Sequence, residues 1–299
     1  MPLDSQLIVH PLDASALRTL KAVPGFDSLV AAVMKNFYER AVHVNNMSNN
    51  IRLGEKQIPE IYNLLPPICQ TLGIKIPGLF LELNPWPNAY TTGNDECCVV
   101  LTSGLLELLE LDEIKAVIAH ECGHVFHRHC LYHMLGDIIG TGMSFLSYIP
   151  FAKETMSVAL YGWSRMSEFS ADRISALVMG SPQKMNSALG KLAGGLGFRS
   201  RYKIEHDEIK RQAADFRTMS QQTDYAAWEN WSVMWRSHPL YVRRIQELTG
   251  WCDTSTFGVL IRRLVDEGEL KGFVCKTEGC GKVLAKGTKF CPNCHRPPV

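Results

Sequence analysis

The feature that most constrains this chain is a pentapeptide, His120-Glu121-Cys122-Gly123-His124, inside a long run of helical pattern. The run extends from Glu113 to Leu135, and Asp112 is a suitable residue to cap its start. Residues four apart on a helix lie on one face, so both imidazoles can bind one ion while Glu121 lies beside it. The motif therefore predicts a helix that presents two zinc ligands and a carboxylate able to act as a base.

A third ligand is expected from a later helix, predicted over Ser164–Met179 and ended by Gly180. Glu168 on this helix would complete three protein ligands and leave a fourth position for water, as catalytic zinc sites require. Asp172, one turn further on, would accept the free N–H of one motif histidine and fix the tautomer of that ring. Taken alone, a glutamate and an aspartate at this spacing are common on solvated helix faces.

His127 is a rival third ligand because it lies on the same helix face as the motif. The helical rise places it about 10 Å from His120, too far for both to bind one ion at about 2 Å. His127, His129 and His133 are therefore predicted to be structural or surface residues. Cys130 stands where metzincins have their third histidine.

The remaining patterns predict an α+β fold that is mostly helical, with a small sheet. Helices are expected over Ser28–Val44 and Pro59–Leu72, and strands over Leu79–Leu83 and Cys97–Leu101, with a turn at Asn84–Asn88 between the strands. The second strand is expected to present an edge to which an extended peptide adds as a further strand.

Charge and hydropathy bear on where the protein acts. A net charge of +1 over 299 residues gives no global reason to expect a nucleic-acid or membrane partner. Residues Met1–Pro11 lack the features of a signal peptide, so we expect a cytoplasmic protein, with peripheral membrane contact as an alternative. The longest uncharged stretch, Ile138–Ala152, is too short to span a bilayer, and no clear transmembrane segment is expected. It is predicted to form a buried hairpin or to dock on a membrane surface.

The C-terminal residues carry two cysteine pairs, Cys275-x4-Cys280 and Cys291-x2-Cys294. This spacing is typical of a four-thiolate zinc ribbon, in which the protein fills every coordination position and the metal is structural. From Lys271 onward the sequence contains six basic residues and a single acidic residue, Glu278. This local charge favours an acidic partner, nucleic acid or a membrane surface, with solubilising lysines as the alternative.

Five segments occur in an order that is far more specific than any single motif: Asn88-Ala89-Tyr90, Leu101–Leu106, Ala119–His124, Arg165–Asp172, and His238-Pro239 followed by Arg244-Ile245. Together they resemble the HtpX and CAAX prenyl protease type 1 family, metallopeptidase family forty-eight, over roughly Pro59 to Leu248. The resemblance implies a gluzincin fold, mostly helical with a small sheet beside the cleft.

The resemblance also implies roles for three further residues. His238 would donate to the oxyanion of the transition state, Arg244 would orient nearby groups, and Asn88 would hold substrate backbone at the cleft. A histidine before proline and an asparagine in a proline-rich turn are otherwise ordinary turn residues. The chain lacks the clear membrane spans of the HtpX and prenyl protease branches, which weakens the expectation of prenylated substrates.

We therefore expect a zinc-dependent endopeptidase that cuts extended or unfolded protein segments in quality control or processing, with one catalytic and one structural Zn2+. The expected division is an N-terminal helical region (1–58), a peptidase domain (59–271) and the ribbon (272–299). One alternative is a zinc-bound adaptor that cuts nothing, which has no use for the Glu121 base. Another is a DNA-associated protease targeted by the ribbon, which the pattern of Glu168 and Asp172 disfavours.

Overall fold

The computed structural model describes residues 3–26, 30, 38–140, 152–197, 199–222, 240–266, 273–274 and 283–284. The helices are α1 (Ser5–Ile8), α2 (Pro11–Lys21), α3 (Tyr38–Asn49), α4 (Pro59–Tyr62), α5 (Leu65–Leu72), α6 (Ser103–Leu108), α7 (Leu111–Phe126), α8 (Cys130–Gly140), α9 (Ala152–Met179), α10 (Gln183–Gly194), α11 (His206–Ser220), α12 (Tyr241–Cys252) and α13 (Ser255–Asp266). The strands are β1 (Ile51–Arg52), β2 (Gly78–Glu82), β3 (Ala89–Thr92), β4 (Cys98–Thr102), β5 (Phe273–Val274) and β6 (Val283–Leu284). The prediction of a mostly helical α+β fold is confirmed.

The larger sheet has the strand order β1-β2-β4-β3. β2 and β4 pair in parallel, and the chain passes through β3 between them, so β3 occupies the outer side of β4 as an antiparallel edge strand. The prediction that Cys97–Leu101 supplies the edge is therefore wrong, because β4 is an interior strand and is buried throughout. β3, with the short sequence Ala-Tyr-Thr-Thr, was not predicted as a strand.

Several predicted elements appear with shifted bounds. Pro59–Leu72 forms the two short helices α4 and α5 rather than the single helix predicted, and α9 begins well before Ser164. α3 includes the end of the helix predicted over Ser28–Val44, but most of that prediction, and most of Ile138–Ala152, lies outside the described residues. Among the described residues, no helix combines the length and the apolar character needed to cross a bilayer.

The motif helix α7 differs from its prediction at both ends. A capping box starts it, in which the Glu113 side chain accepts the Glu110 N–H, so Glu110 and not Asp112 is the cap. The helix ends at Phe126 rather than continuing to Leu135, because Arg128 adopts a left-handed conformation with φ of 58°. No glycine or proline marks this break in the sequence.

The hydrophobic core lies around α7, which is buried over most of its length between the sheet and α9. Gly123 allows the two helices to approach closely, since a Cβ at this position would lie 2.9 Å from Cα of Ala171 and 3.1 Å from Cβ of Ile174. Contact with a backbone atom at that distance cannot be relieved by a rotamer change. The approach sets the position of the motif relative to the residues that flank Ala171.

We predict that Gly123→Ala lowers the free energy of unfolding by about 1 to 3 kcal/mol, because the added methyl group overpacks the interface between α7 and α9. Gly250→Ala is the matched control: Gly250 is also helical, it is exposed, and its Cβ would meet no atom within 4 Å. There the higher helix propensity of alanine should raise stability by roughly 0.5 to 1 kcal/mol. Chemical denaturation of both variants measures the difference, and an unchanged Gly123→Ala would contradict the close approach.

Candidate metal centre

His120 and His124 on α7 and Glu168 on α9 bring their ligand atoms within 4.8 Å of one another. The two Nε2 atoms are 3.3 Å apart, and Glu168 places one carboxylate oxygen 3.5 Å from His120 Nε2 and the other 3.3 Å from His124 Nε2. All three side chains are buried. The two sequence elements predicted to share a metal therefore lie side by side.

The donor set and the local charge both suit a divalent cation. Two imidazole nitrogens and one carboxylate form a three-ligand set that catalytic zinc sites use. Burial lowers the pKa of His120, but Glu168 and Asp172 raise it to about 9, so these groups together attract positive charge. Glu121, Glu168 and Asp172 are buried carboxylates, and the buried guanidinium of Arg244 pairs with Glu168 and Asp172. With neutral imidazoles, as in a metal-bound site, these four groups carry a formal charge of −2 for a cation to neutralise.

Asp172 and Arg244 support the His120 side of this cluster. Asp172 Oδ1 accepts from His120 Nδ1 at 2.9 Å, which leaves Nε2 of that ring directed at the cluster. Arg244 on α12 donates twice to Asp172, at 2.7 and 2.9 Å, and its third nitrogen lies 2.9 Å from Glu168 Oε2. Burial raises the pKa of Asp172, but Arg244 and His120 outweigh it and hold that pKa below its usual value.

The His124 side has a support that the sequence did not suggest. His124 Nδ1 lies 3.1 Å from Nδ1 of His129, and His129 Nε2 lies 3.1 Å from Oδ2 of Asp13. Asp13 belongs to α2 and also accepts from Trp163 Nε1 and Ser170 Oγ on α9. The turn at Arg128 makes this contact possible, because a helix that continued through residue 129 would carry its side chain away from His124.

The other histidines near the motif have hydrogen-bond partners of their own. His127 lies against Ser5, with 2.9 Å between Nδ1 and the hydroxyl, and so has the structural role predicted for it. His133 lies within ligand distance of His124 and His129, but its two nitrogens each contact a serine hydroxyl, those of Ser164 and Ser167, at 3.2 Å. These contacts make His133 part of the surrounding hydrogen-bond network.

Glu121 lies beside the cluster and is held by the edge strand. Thr91 of β3 donates its hydroxyl to Glu121 Oε2 at 2.6 Å and also lies 3.2 Å from the Glu121 carbonyl oxygen. This contact joins the sheet to the motif helix at the position where the base was predicted. Thr91 carries no motif of its own, and its role depends on β3 lying at the sheet edge.

A cavity of about 560 Å³ opens beside these residues, and we call it the cleft. Its floor contains Glu121, His124 and Glu168, and one wall is β3 with Asn88 just before it. The lining also includes Ala41, Val42, Asn45 and Asn46 of α3. Asn88 therefore lies at the cleft, as the resemblance implied, whereas His238 and the cysteines Cys275, Cys280, Cys291 and Cys294 lie outside the described residues.

Comparison with known proteins agrees with this geometry. The model of peptidase family M48 matches residues 60–252, which include the cluster, β3 and Arg244. This chain is a member of peptidase family M48. It is 29% identical over 265 residues to the plastoglobule-localized metallopeptidase 48 of Arabidopsis thaliana, covering 87% of this chain and 76% of that protein. It is 28% identical over 173 residues to a protease HtpX homolog of Trichormus variabilis, covering 47% of this chain and 59% of that one.

Membership of M48 makes the chain a metalloprotease, and a metal, typically zinc, is implied. The predicted family is thus confirmed. The matched segment begins after α3, so Asp13 and the α3 wall of the cleft belong to the part of the chain that precedes it.

The pKa of Asp13 gives a pH-dependent prediction for the metal-free protein. Burial raises this pKa, but His129 and Ser170 outweigh it and lower it from 3.8 to about 2. A depressed folded-state pKa contributes stability that is present above the unfolded value and is lost as pH falls through the folded value. Asp13→Asn should therefore unfold with a free energy about 2 kcal/mol lower at pH 7, and the difference should shrink between pH 4 and pH 2. Denaturation over this range measures it, and a pH-independent difference would assign the loss to packing alone.

Proposed function

We propose that this M48 metalloprotease is a zinc-dependent endopeptidase that cuts extended or unfolded protein segments. The observation that carries the proposal is the convergence of His120, His124 and Glu168 in the floor of a cleft whose wall is a sheet edge, with Glu121 between metal site and edge. Ligands, base and substrate-binding edge then occupy one cavity.

The proposed roles follow from position. His120, His124 and Glu168 hold the catalytic zinc, Asp172 orients His120, and Arg244 holds Asp172 and Glu168 in place. When bound, zinc supplies Lewis acidity and lowers the pKa of water so that a hydroxide nucleophile is accessible near neutral pH. Thr91 occupies one lone pair of Glu121 Oε2 and so directs the carboxylate, and Glu121 takes a proton from water and returns it to the leaving amine.

Substrate recognition is assigned to the edge of β3. Within the part of the chain that the structure describes, no strand pairs with the outer side of β3 in the larger sheet, and an extended peptide can add there through backbone hydrogen bonds. Backbone recognition favours segments without stable structure, wherever they lie within a chain. Asn88 would contact substrate backbone, and His238 would assist at the oxyanion.

The C-terminal cysteines are proposed to form a separate structural zinc site. β5 ends directly before Cys275, Cys280 precedes β6 by three residues, and the two strands pair antiparallel. A hairpin that brackets the first cysteine pair suits a zinc ribbon. We propose the ribbon as the third unit after residues 1–58 and 59–271, with its lysines directed at an acidic partner.

We further propose that the protein acts in the cytoplasm and contacts membranes peripherally. The Arabidopsis relative is named for its localisation to plastoglobules, which supports a site of action at a lipid surface. None of the described helices is long and apolar enough to cross a bilayer.

The catalytic assignment predicts different outcomes for two glutamates. Glu121→Gln should keep the catalytic zinc and lose about 10²- to 10⁴-fold in rate, because the amide cannot accept the proton. Glu168→Ala should lose zinc affinity as well as activity, because it removes a ligand. Both are measured by metal analysis and by cleavage of a peptide blocked at both ends, chosen from a library.

Glu107→Ala, at an exposed position on α6, is the control and should match the wild type in both measurements. Wild-type cleavage rates in zinc-loaded Glu121→Gln would overturn the mechanism. A wild-type protein that cuts only unblocked peptides would be an exopeptidase, and one that binds partners but cuts nothing would be an adaptor.

The two-zinc proposal is tested separately. Replacing Cys291 and Cys294 by Ser should remove one of two zinc ions and leave cleavage of short blocked peptides largely intact, because the ligands of the catalytic ion lie elsewhere. Metal analysis and peptide cleavage measure the two effects. A folded wild-type protein that is saturated with a single zinc ion would contradict the ribbon, and complete loss of cleavage in a folded variant would make it part of the catalytic unit.

A further inference from the structure

We propose that Asp13 is a positioning residue of the metal centre, which sets the tautomer of His124 through His129. The inference rests on the proposed function, because it takes His124 Nε2 as a metal ligand. It adds to that function a residue from the N-terminal helix α2, far from the motif in sequence and outside the segment that matches the M48 model.

The direction of each hydrogen bond follows from what Asp13 can do. A carboxylate only accepts, so the proton between Asp13 and His129 lies on His129 Nε2, at 3.1 Å. Neutral His129 then carries a lone pair on Nδ1. That atom accepts the Nδ1–H of His124 at 3.1 Å, and His124 is left with a lone pair on Nε2.

Both ligand histidines thereby present Nε2 to the cluster. Asp172 sets the tautomer of His120 by direct contact. Asp13 sets the tautomer of His124 through one intervening residue, His129. Without a carboxylate behind His129, its proton has no fixed position. His124 could then carry its own proton on Nε2, where it would block the metal.

The surroundings of Asp13 fix its orientation and make it testable. Trp163 donates to Oδ1 at 2.9 Å, and its indole N–H is a donor only. Ser170 donates to Oδ2, the oxygen that faces His129, but a hydroxyl can also accept. In Asp13→Asn the carbonyl oxygen must therefore face Trp163, and the amide NH2 must face His129 and Ser170.

The Asp13→Asn variant should reverse the proton positions on His129 and His124. The amide NH2 donates to His129 Nε2, which moves the His129 proton to Nδ1. Two N–H groups, on Nδ1 of His129 and Nδ1 of His124, would then point at each other, and no hydrogen bond could form. The proton of His124 then moves to Nε2, the atom needed for zinc. Loss of an outer hydrogen-bond partner of a zinc ligand typically lowers metal affinity 10- to 100-fold, and we expect a loss in this range.

Trp163→Phe provides both a control and a rescue. Alone it removes a buried hydrogen bond to Asp13 and keeps the carboxylate, so zinc affinity should stay within about threefold of the wild type. Combined with Asp13→Asn it lets the amide turn and offer its oxygen to His129, so zinc affinity should be higher than in Asp13→Asn alone. A merely structural role predicts the opposite, since the second lost contact would weaken binding further.

The experiment uses the full chain and zinc alone. Ring ¹⁵N NMR of the zinc-free protein identifies which nitrogen of His124 and His129 carries the proton, and chelator competition, read at the His120 and His124 ring signals, gives the zinc affinity. We expect protonated Nε2 on His129 in the wild type, protonated Nδ1 in Asp13→Asn, and the affinity order described above.

Three results would overturn the inference: His129 protonated on Nδ1 in the wild type, Asp13→Asn binding zinc within threefold of the wild type, or the double variant binding more weakly than Asp13→Asn. The wild-type tautomer decides the matter even if a variant fails to fold. Failure of the wild type to bind zinc at His120 and His124 would instead remove the proposed function.

Discussion

The close approach of α7 and α9 at Gly123 is the constraint on which the metal centre depends. Ligands from one helix can share an ion with Glu168 on another only if the helix axes are near enough for short side chains to meet. Gly123 provides that proximity by letting α7 rest on the backbone at Ala171, which lies between Glu168 and Asp172 in the sequence of α9. The same contact therefore positions the third ligand and the carboxylate that orients His120.

The buried carboxylates of the metal centre require compensating positive charge, and Arg244 compensates only part of their negative charge. Arg244 neutralises part of the charge of Asp172 and Glu168, and burial, which would lower its own pKa, is outweighed by the two carboxylates, which raise it. Charged groups buried in excess of their partners are costly. A divalent cation between His120, His124 and Glu168 would remove the remaining imbalance, so metal binding should favour folding as well as chemistry.

The sequence predicts the parts of the site that follow a helical period. One set contains His120, Glu121 and His124, and the other contains Glu168 and Asp172. Within each set the residues are one turn or one residue apart, and this helical spacing places them on one side of their helix. Thr91 and Asp13 could not be found in this way. The role of Thr91 depends on the strand order, which makes β3 rather than β4 the edge strand. The role of Asp13 depends on the left-handed conformation of Arg128, and no glycine in the sequence marks that conformation. Both are consequences of tertiary packing, for which single-sequence patterns carry no signal.

These two missed contacts also bear on what constitutes the catalytic unit. Asp13 is buried against α9 by Trp163 and Ser170, and α2 packs along the same helix that carries Glu168. The cleft is also lined by α3, another element that precedes the segment matching the M48 model. Residues before position 59 thus contribute to the walls of the cleft and to the hydrogen bonds behind a ligand. We infer that a chain beginning at residue 59 would keep every proposed zinc ligand but lack the groups that orient His124 and enclose the substrate.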